Sequence, residues 1–223
     1  GSKYLLTQGN LKVLVDGGLF QGFKQLRLKN WEDFPLNPAD LHAVVLTHAH
    51  LDHSGYIPLL VKNGFRGKIF ATEGTVDLCK ILLPDSGFLQ EEEARLANKR
   101  KYSKHDPALP LYTYEDAQSS LNQFAPIPWK TPFKIEKAGE EIGVEFHPAG
   151  HLLGAASVLV KGTRGSIVFS GDLGRNSDPL IRDPDFNLGA DTLVVESTYG
   201  NRTHPEENAE LALQQAVIST HAN

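Results

Sequence analysis

A short histidine-rich segment is the part of the sequence best suited to chemistry. It runs from Thr47 to His53 and reads Thr-His-Ala-His-Leu-Asp-His. Side chains two residues apart in an extended chain point to the same side, so His48 and His50 can converge on one ion. A turn into a helix can then direct Asp52 and His53 at a second ion. Imidazole and carboxylate groups suit zinc or another divalent metal, and burying them without one costs free energy.

Three more candidate side chains stand where predicted strands end. Asp16, His151 and Asp172 each follow a run rich in apolar and β-branched residues. Loops at strand ends often carry function. Each residue alone would be unremarkable, but together with the histidine-rich segment they predict one metal centre. His151 could complete a set of three histidines, Asp172 could bridge two ions, and Asp16 could accept a hydrogen bond from a ligand histidine.

The pattern of the chain predicts an α/β protein that holds these loops at strand ends. A short helix is expected after Ser54, and residues 75–122 are expected to be mostly helical with an irregular middle at 106–110. A capping box from Thr203 to Glu206 predicts a last helix that runs to the end of the chain. The predicted strands are 11–15, 41–46, 67–72, 133–135, 144–147, 157–160, 166–170 and 192–196.

Composition limits the classes of protein that fit. A chain of 223 residues with 40% hydrophobic and 22% charged side chains predicts a globular core, in one to one and a half domains. No apolar run is long enough to span a bilayer, and a single cysteine fits a reducing compartment. We therefore expect a cytoplasmic protein with no membrane partner. The net charge of −5 gives no support to a generic nucleic-acid binder with a basic surface, although it does not exclude a nuclease whose metal ions supply positive charge.

The order of these residues resembles the metallo-β-lactamase superfamily. The resemblance lies in His48-x-His50-x-Asp52-His53, followed by His151 and Asp172, after a strand that ends in Asp16. It implies an αββα sandwich with the metals at one edge of the sheets. The superfamily by itself implies only a hydrolytic dinuclear metal site, because it includes lactamases, thioesterases and nucleases.

Four longer motifs resemble the β-CASP branch, the RNA-processing nucleases related to ribonuclease J and to the endonuclease of mRNA 3′-end cleavage. They begin at Leu14, Gly150, Phe169 and Val195, and the last of them, Val-Glu-Ser-Thr-Tyr-Gly-Asn-Arg, is the most specific. In that branch an acidic residue marks the entry to an inserted β-CASP domain, and Glu196 stands at this place.

The resemblance implies a role for each residue. Asp16 would orient a ligand, Glu196 would hold a catalytic histidine, and together with Asp52 they are the expected catalytic residues. The implied cofactor is two Zn²⁺ ions, with another divalent metal as an option. The implied ligands are His48, His50 and His151 for one ion, Asp52 and His53 for the other, and Asp172 as the bridge.

The resemblance to that branch leads us to expect a truncated chain. We expect a metallo-β-lactamase-like domain over residues 1–200 and, over 201–223, a helix that leads into a missing β-CASP domain. The sandwich is expected to be incomplete, with the β-CASP domain absent or only begun. The histidine that Glu196 would hold, and another that completes the second zinc, belong to motifs after that domain, and His204 and His221 stand in the wrong context to replace them. The fragment is therefore expected to fold but to lack full activity alone.

The function predicted in this way is hydrolysis of RNA phosphodiester bonds by attack of a metal-bound hydroxide. Two alternatives stay open. One is a small-molecule hydrolase, a thioesterase or amidase of the glyoxalase II or lactamase kind, and the other is a non-catalytic scaffold subunit of a nuclease complex. RNA is the expected partner, and a homodimer is an assembly that the sequence allows.

Overall fold

Ten strands and six α-helices make up the chain in the computed structural model, which describes residues 1–186, 188–203 and 209–221. The strands are β1 Tyr4–Gln8, β2 Leu11–Val15, β3 Ala43–Val45, β4 Lys68–Ala71, β5 Phe124–Pro126, β6 Phe133–Lys137, β7 Glu140–Pro148, β8 Ala156–Gly162, β9 Gly165–Phe169 and β10 Thr192–Val194. The helices are α1 Lys24–Leu28, α2 Leu51–Ser54, α3 Ile57–Lys62, α4 Glu73–Arg100, α5 Tyr114–Ser120 and α6 Ala209–His221, with single 3₁₀ turns at Lys29–Trp31, Pro38–Asp40 and Leu121–Gln123.

The strands form two five-stranded sheets. The sheets meet at the edge where β3 and β7 end. The first sheet has the order β1-β2-β3-β4-β5 and is parallel from β2 to β5. The second has the order β10-β9-β8-β7-β6 and is antiparallel except for the parallel pair β9 and β10. Strands β7, β9 and β10 therefore run in one direction. A backbone hydrogen bond of 2.9 Å from Ala156 to the Thr47 carbonyl joins the sheets where these strands end.

Alternation along β2 shows how the layers are held together. Val13 and Val15 belong to the apolar cluster between the two sheets, which Phe146 and Val158 enter from the second sheet. Leu14, between them in sequence, belongs to the cluster under helices α3 to α5. Both faces of the first sheet are thus covered, which is why its strands read as continuous apolar runs rather than as alternating ones.

Helix α4 is the longest element of the described residues and begins beside the loop that carries His151. Thr72 caps its first turn by accepting a hydrogen bond from the Thr75 amide. At 28 residues the helix is about 42 Å long. It ends at Lys101, whose φ of 52° lies in the left-handed region typical of helix ends.

The predicted α/β sandwich is confirmed, and so are the predicted strands, to within a few residues at their ends. The helical stretch predicted over 75–122 forms α4 and α5, with irregular chain over 101–113. Strands β1 and β5 were not predicted. β1 is a mostly exposed edge strand, and β5 has three residues and ends in a proline, so neither shows the apolar pattern of a buried strand.

The last helix agrees with prediction where the structure describes it. Helix α6 covers Ala209–His221, whereas the predicted capping box extends into residues 204–206, outside the described part of the chain. None of the helices within the described residues combines the length and the apolar character needed to cross a membrane.

Candidate metal centre

The histidine-rich segment leaves β3 as an extended loop and then turns into α2. His50 stands immediately before this helix, and its carbonyl accepts hydrogen bonds from the amides of His53 and Ser54 at 2.9 and 2.8 Å. The extended part carries His48 and His50, and the helical turn carries Asp52 and His53. Because the backbone changes from extended to helical after His50, His48 and His50 face one group of candidate ligands, and Asp52 and His53 face a second group.

Backbone hydrogen bonds clamp this segment onto the loop that follows β2. The Gly17 amide donates to the His53 carbonyl at 2.7 Å, and the Leu19 amide donates to the Leu51 carbonyl at 2.8 Å. Gly18 lies so close to the helical turn that a side chain there would overlap the Asp52 carbonyl group. Two loops far apart in sequence are thus locked together at the metal centre.

Three imidazole nitrogens and one carboxylate oxygen form the first group of candidate ligands. His50 Nδ1 lies 3.2 Å from His48 Nε2 and 3.1 Å from His151 Nε2. Asp172 Oδ2 lies 3.7 Å from both Nε2 atoms. The four ligand atoms are all within 4.8 Å of one another. Tetrahedral zinc with ligands at about 2.0–2.1 Å holds neighbouring ligand atoms about 3.3–3.4 Å apart. The separations of 3.1, 3.2 and 3.7 Å are close to this value, so small side-chain movements would let these residues hold such an ion.

The other carboxylate oxygen of Asp172 faces a second group. Asp172 Oδ1 lies 3.2 Å from His53 Nε2, which in turn lies 3.8 Å from Asp52 Oδ2. One carboxylate therefore offers one oxygen to each group, as a bridge between two cations requires. The spacing of the second group also fits a divalent ion, although it offers fewer protein ligands than the first.

Asp16 sets the hydrogen-bonding state of two of these histidines. Its carboxylate is buried and accepts hydrogen bonds from the Thr47 amide at 2.8 Å, from Thr47 Oγ1 at 3.0 Å and from His53 Nδ1 at 2.8 Å. The Thr47 hydroxyl has one hydrogen, which it gives to Asp16, so it must accept from His48 Nδ1, 3.0 Å away. Both rings then carry hydrogen at Nδ1 and turn Nε2 towards the metal centre.

A proton on His53 offsets part of the negative charge of the carboxylates around it. Burial alone would lower the pKa of His53, but its hydrogen bonds to Asp16 and Asp172 outweigh burial and raise the pKa to about 10. Burial raises the pKa of Asp16, and its hydrogen bonds with His53 and Thr47 oppose that rise. The hydrogen bond with His53 lowers the pKa of Asp172 to about 2. An imidazolium thus lies between two carboxylates.

His48 and His151, in the first group, lack such a proton. Burial, together with the positive charge of His53, lowers the pKa of His48 to about 2. Burial also lowers the pKa of His151. Both rings are therefore neutral near pH 7, which is the state that binds a metal ion.

The loop that carries His151 is fixed from two sides. On one side, the hydroxyl groups of Thr72 and Thr75, at the start of α4, donate to the Gly154 carbonyl. On the other, the Gly174 amide donates to the Ala149 carbonyl at 2.8 Å. The loops that hold His151 and Asp172 are therefore attached to each other as well as to the helix.

Glu196 lies beside the first group but binds backbone groups. Its carboxylate accepts hydrogen bonds from the Leu173 amide at 2.6 Å and from the Thr198 amide at 3.1 Å. Its own amide donates to Ser170 Oγ at 3.0 Å. In the described residues it thus joins the loop after β9 to the loop after β10, and its role towards a histidine stays a prediction.

The structure brings together all the side chains that the sequence singled out as ligands. Thr47 was not given a role from the sequence, although it stands at the head of the histidine-rich segment. A hydroxyl next to a metal-binding histidine could have suggested its function. His204 lies outside the described residues, and His221 is exposed on α6.

Comparison with known proteins gives a family and several relatives. The family model described as Metallo-beta-lactamase superfamily matches residues 1–69, the part that carries Asp16 and the histidine-rich segment. Ribonuclease TTHA0252 of Thermus thermophilus is 35% identical over 204 residues, which cover 92% of this chain and 42% of that protein. Endoribonuclease YSH1 of Gibberella zeae is 32% identical over 98% of this chain and 25% of its own length.

Two further matches complete the comparison. Transcription termination factor FttA of Cenarchaeum symbiosum is 30% identical over 88% of this chain and 29% of that protein. Among solved structures, a metallo-β-lactamase of Cronobacter sakazakii matches with a TM-score of 0.46 and 20% identity, over 80% of this chain and 59% of that one. The chain spans less than half the length of these curated relatives.

Proposed function

Because this chain carries a domain of the metallo-β-lactamase superfamily, we propose that it is the metal-binding part of a ribonuclease that hydrolyses RNA phosphodiester bonds. The observation that carries the proposal is the convergence of His48, His50, His151 and Asp172, whose ligand atoms lie within 4.8 Å of one another. Its curated relatives are RNA-processing nucleases of the β-CASP type, as the sequence motifs predicted. Two of them are named as a ribonuclease and an endoribonuclease.

The ligand atoms divide between two cations, which we propose to be zinc. His48, His50 and His151 would hold the first ion. Asp52 and His53 would hold the second, and Asp172 would bridge them through its two oxygens. Two divalent cations in this position would supply a Lewis acid for the phosphodiester and lower the pKa of a water molecule.

The side chains of this protein prepare the centre for that chemistry. Asp16 holds His53 directly and His48 through Thr47, so that each ring presents an unprotonated Nε2 to a metal once His53 has lost its extra proton. Of the two carboxylates near His53 Nε2, that of Asp52 is the more exposed, at 44% of its side chain against 28% for Asp172. It is therefore the ligand that faces an incoming substrate.

The test is RNA cleavage by the full-length protein with single ligand changes. His50→Ala removes the nitrogen that lies nearest both other histidines of the first group, and Asp172→Ala removes the bridge. Each is expected to lower cleavage at least a hundredfold, because the ligands act as a unit. Zinc content measured on the same samples should fall in parallel.

A matched control separates these effects from the loss of any histidine. His105→Ala removes an exposed imidazole in the loop after α4, outside the metal centre, and should leave cleavage and zinc content unchanged. RNA cleavage that persists in a strong chelator, or in both ligand variants, would refute the proposal. Turnover of a thioester in place of RNA would favour the small-molecule hydrolase instead.

A cytoplasmic location, a homodimer and the division into residues 1–200 and 201–223 stay predictions. Glu196 as the residue that holds a catalytic histidine is a proposal of the same kind. Mutating Glu196 to Gln in the full-length protein tests it, because the amide keeps the size of the side chain and loses the charge.

A further inference from the structure

A pocket opens directly beside the proposed metal centre. Its volume is about 390 Å³, and His151 and Asp172 are among the residues that line it. Its lining also includes Arg175, from the loop after β9, and Thr198 and Tyr199, from the loop after β10. A substrate bound at the metal centre would extend into this space.

The charge of the pocket is unfavourable for RNA except at one point. Asp172, Asp178 and Glu196 contribute carboxylates to its lining. Of the described residues that line it, only Arg175 carries a permanent positive charge. The phosphates that flank the one being cleaved would meet these carboxylates, so a neighbouring phosphate is best accommodated at Arg175.

Arg175 is oriented by a neighbour that is itself fixed. Its Nε lies 3.4 Å from Asp178 Oδ2. The other oxygen of Asp178 accepts hydrogen bonds from the amides of Leu180 and Ile181 at 3.0 and 3.1 Å. The ion pair uses Nε, and the guanidinium group has further donors on its two terminal nitrogens. The side chain is 56% exposed and accessible to a ligand.

Tyr199 offers an aromatic surface at the same pocket. Its φ of 58° lies in the left-handed region, which is unfavourable for a bulky residue. Hydrogen bonds within the turn hold this conformation, from Gly200 to the Ser197 carbonyl at 3.0 Å and from Arg202 to the Tyr199 carbonyl at 2.9 Å. The residue is 59% exposed. Strain of this kind persists mainly where it serves function.

A second arginine completes the aromatic surface. The Arg202 guanidinium lies 5.3 Å from the centre of the Tyr199 ring, a distance typical of a cation–π contact. Exposed aromatic rings next to positive charge are the usual platform for unpaired nucleobases. Glu196 links the two parts of the pocket, because it accepts amides from both loops.

From these contacts we propose that Arg175 and Tyr199 form a nucleotide-binding subsite for single-stranded RNA beside the metal centre. Arg175 binds a phosphate next to the cleaved one, and the Tyr199 ring, backed by Arg202, stacks on a nucleobase. Glu196 is a positioning residue for both. The subsite rests on the proposed function, since it has a purpose only if RNA is the substrate.

The two contacts predict different responses to salt. Binding of a fluorescently labelled single-stranded RNA oligonucleotide is measured by anisotropy in the full-length protein over a range of salt concentrations, in a His50→Ala background that prevents cleavage. Arg175→Ala should weaken binding about tenfold and reduce the slope of log affinity against log salt by about 0.7, the value for one phosphate contact. Tyr199→Asn should weaken binding about tenfold with no change in slope.

Matched variants guard against trivial explanations. Asparagine tolerates the left-handed conformation, so Tyr199→Asn removes the ring without adding strain, and Tyr199→Phe should restore affinity. Arg175→Lys should keep the salt slope. Arg164→Ala removes an exposed arginine before β9, at the end of that strand opposite Asp172, and should leave affinity and slope unchanged.

Two results would overturn the subsite. If the protein binds and cleaves RNA but the Arg175 and Tyr199 variants behave like the Arg164 variant, the subsite is wrong and the proposed function stands. If the parent protein neither binds nor cleaves RNA, both are wrong. The melting temperature of each variant, compared with that of the His50→Ala parent, confirms that it is folded.

Discussion

Replacing Asp16 by asparagine tests the hydrogen-bond network that prepares the metal ligands. The Thr47 amide requires an acceptor, so the asparagine oxygen must take the place of Asp16 Oδ1. Its amide group then stands where Oδ2 received hydrogen bonds from Thr47 Oγ1 and His53 Nδ1. The asparagine amide therefore donates to Thr47 Oγ1 and to His53 Nδ1, and each of these atoms must accept a hydrogen bond instead of donating one.

The reversal changes both histidines. His53 must accept at Nδ1, which leaves its hydrogen on Nε2. The Thr47 hydroxyl must accept from the asparagine and donate to His48 Nδ1, which moves the hydrogen of His48 to Nε2 as well. Nε2 is the atom that faces the metal centre in both rings, so each ion loses one ready ligand.

The size of the effect follows from the number of contacts affected. Changing a residue that orients a metal ligand typically lowers metal affinity about 10- to 100-fold, and we expect this at both ions. The fold should survive, because asparagine fills the same volume and can keep its hydrogen bonds. We expect a loss of about 1–3 kcal/mol in the free energy of unfolding, as for the loss of charged hydrogen bonds in a buried site.

Thr47→Val is the matched variant for this experiment. It removes the hydroxyl that supports His48 but leaves the hydrogen bond between Asp16 and His53. Titrating zinc into metal-free protein against a competing chelator should therefore show both affinities reduced in Asp16→Asn. Only the site that contains His48 should be weakened in Thr47→Val. Wild-type affinity at both sites in Asp16→Asn would refute this account of the network.

The remaining predictions concern proton release and backbone packing. Zinc binding to metal-free protein at about pH 8 should release about one proton from His53, because a pKa of about 10 keeps that ring protonated there, whereas the pKa of His48 is too low for it to contribute. The proton release should disappear as the pH rises through about 10. Calorimetry of zinc binding in buffers of different ionisation enthalpy measures the number of protons released. A release that stayed constant over that pH range would contradict the assignment of the proton to His53. Gly18→Ala should lower the free energy of unfolding by about 2–3 kcal/mol, because the new side chain meets the Asp52 carbonyl, while Gly189→Ala, with no atom within 4 Å of the new carbon, should not. Urea unfolding of the two variants gives both values, and equal stability would argue against the tight fit of the loops.

The sequence predicted the candidate ligands because their chemistry is written in residue type and local spacing. Two histidines at alternate positions of an extended chain must share a side, and strands of one direction must end at one edge of a sheet. It could not predict which oxygen of Asp172 faces which histidine, because that depends on how two sheets approach each other. The loops after β3 and β9 are more than a hundred residues apart.

Other contacts escaped prediction for a different reason. The role of Thr47 depends on a hydroxyl that lies between Asp16 and His48, and this pairing exists only once β2 and β3 lie side by side. The sequence likewise did not indicate that Arg175 lines a pocket, because its loop carries charges of both signs, as is typical of exposed loops. A sequence pattern indicates which side chains share a face of one helix or strand. Hydrogen bonds between loops depend on how the helices and strands pack together, which the pattern does not show.

The charge of the metal centre explains how an acidic chain can act on RNA. Without metal, the proton on His53 offsets only part of the charge of Asp16, Asp52 and Asp172, so the centre would repel a phosphate. A divalent ion that displaces the proton from His53 Nε2 replaces one positive charge by two. A divalent ion at the first group adds two positive charges and displaces no proton from His48, because that ring is already neutral. The balance thus changes sign at the place where a phosphate must bind, even though the net charge of the chain is −5. Electrostatic attraction for RNA should therefore depend on metal loading more than on surface lysines.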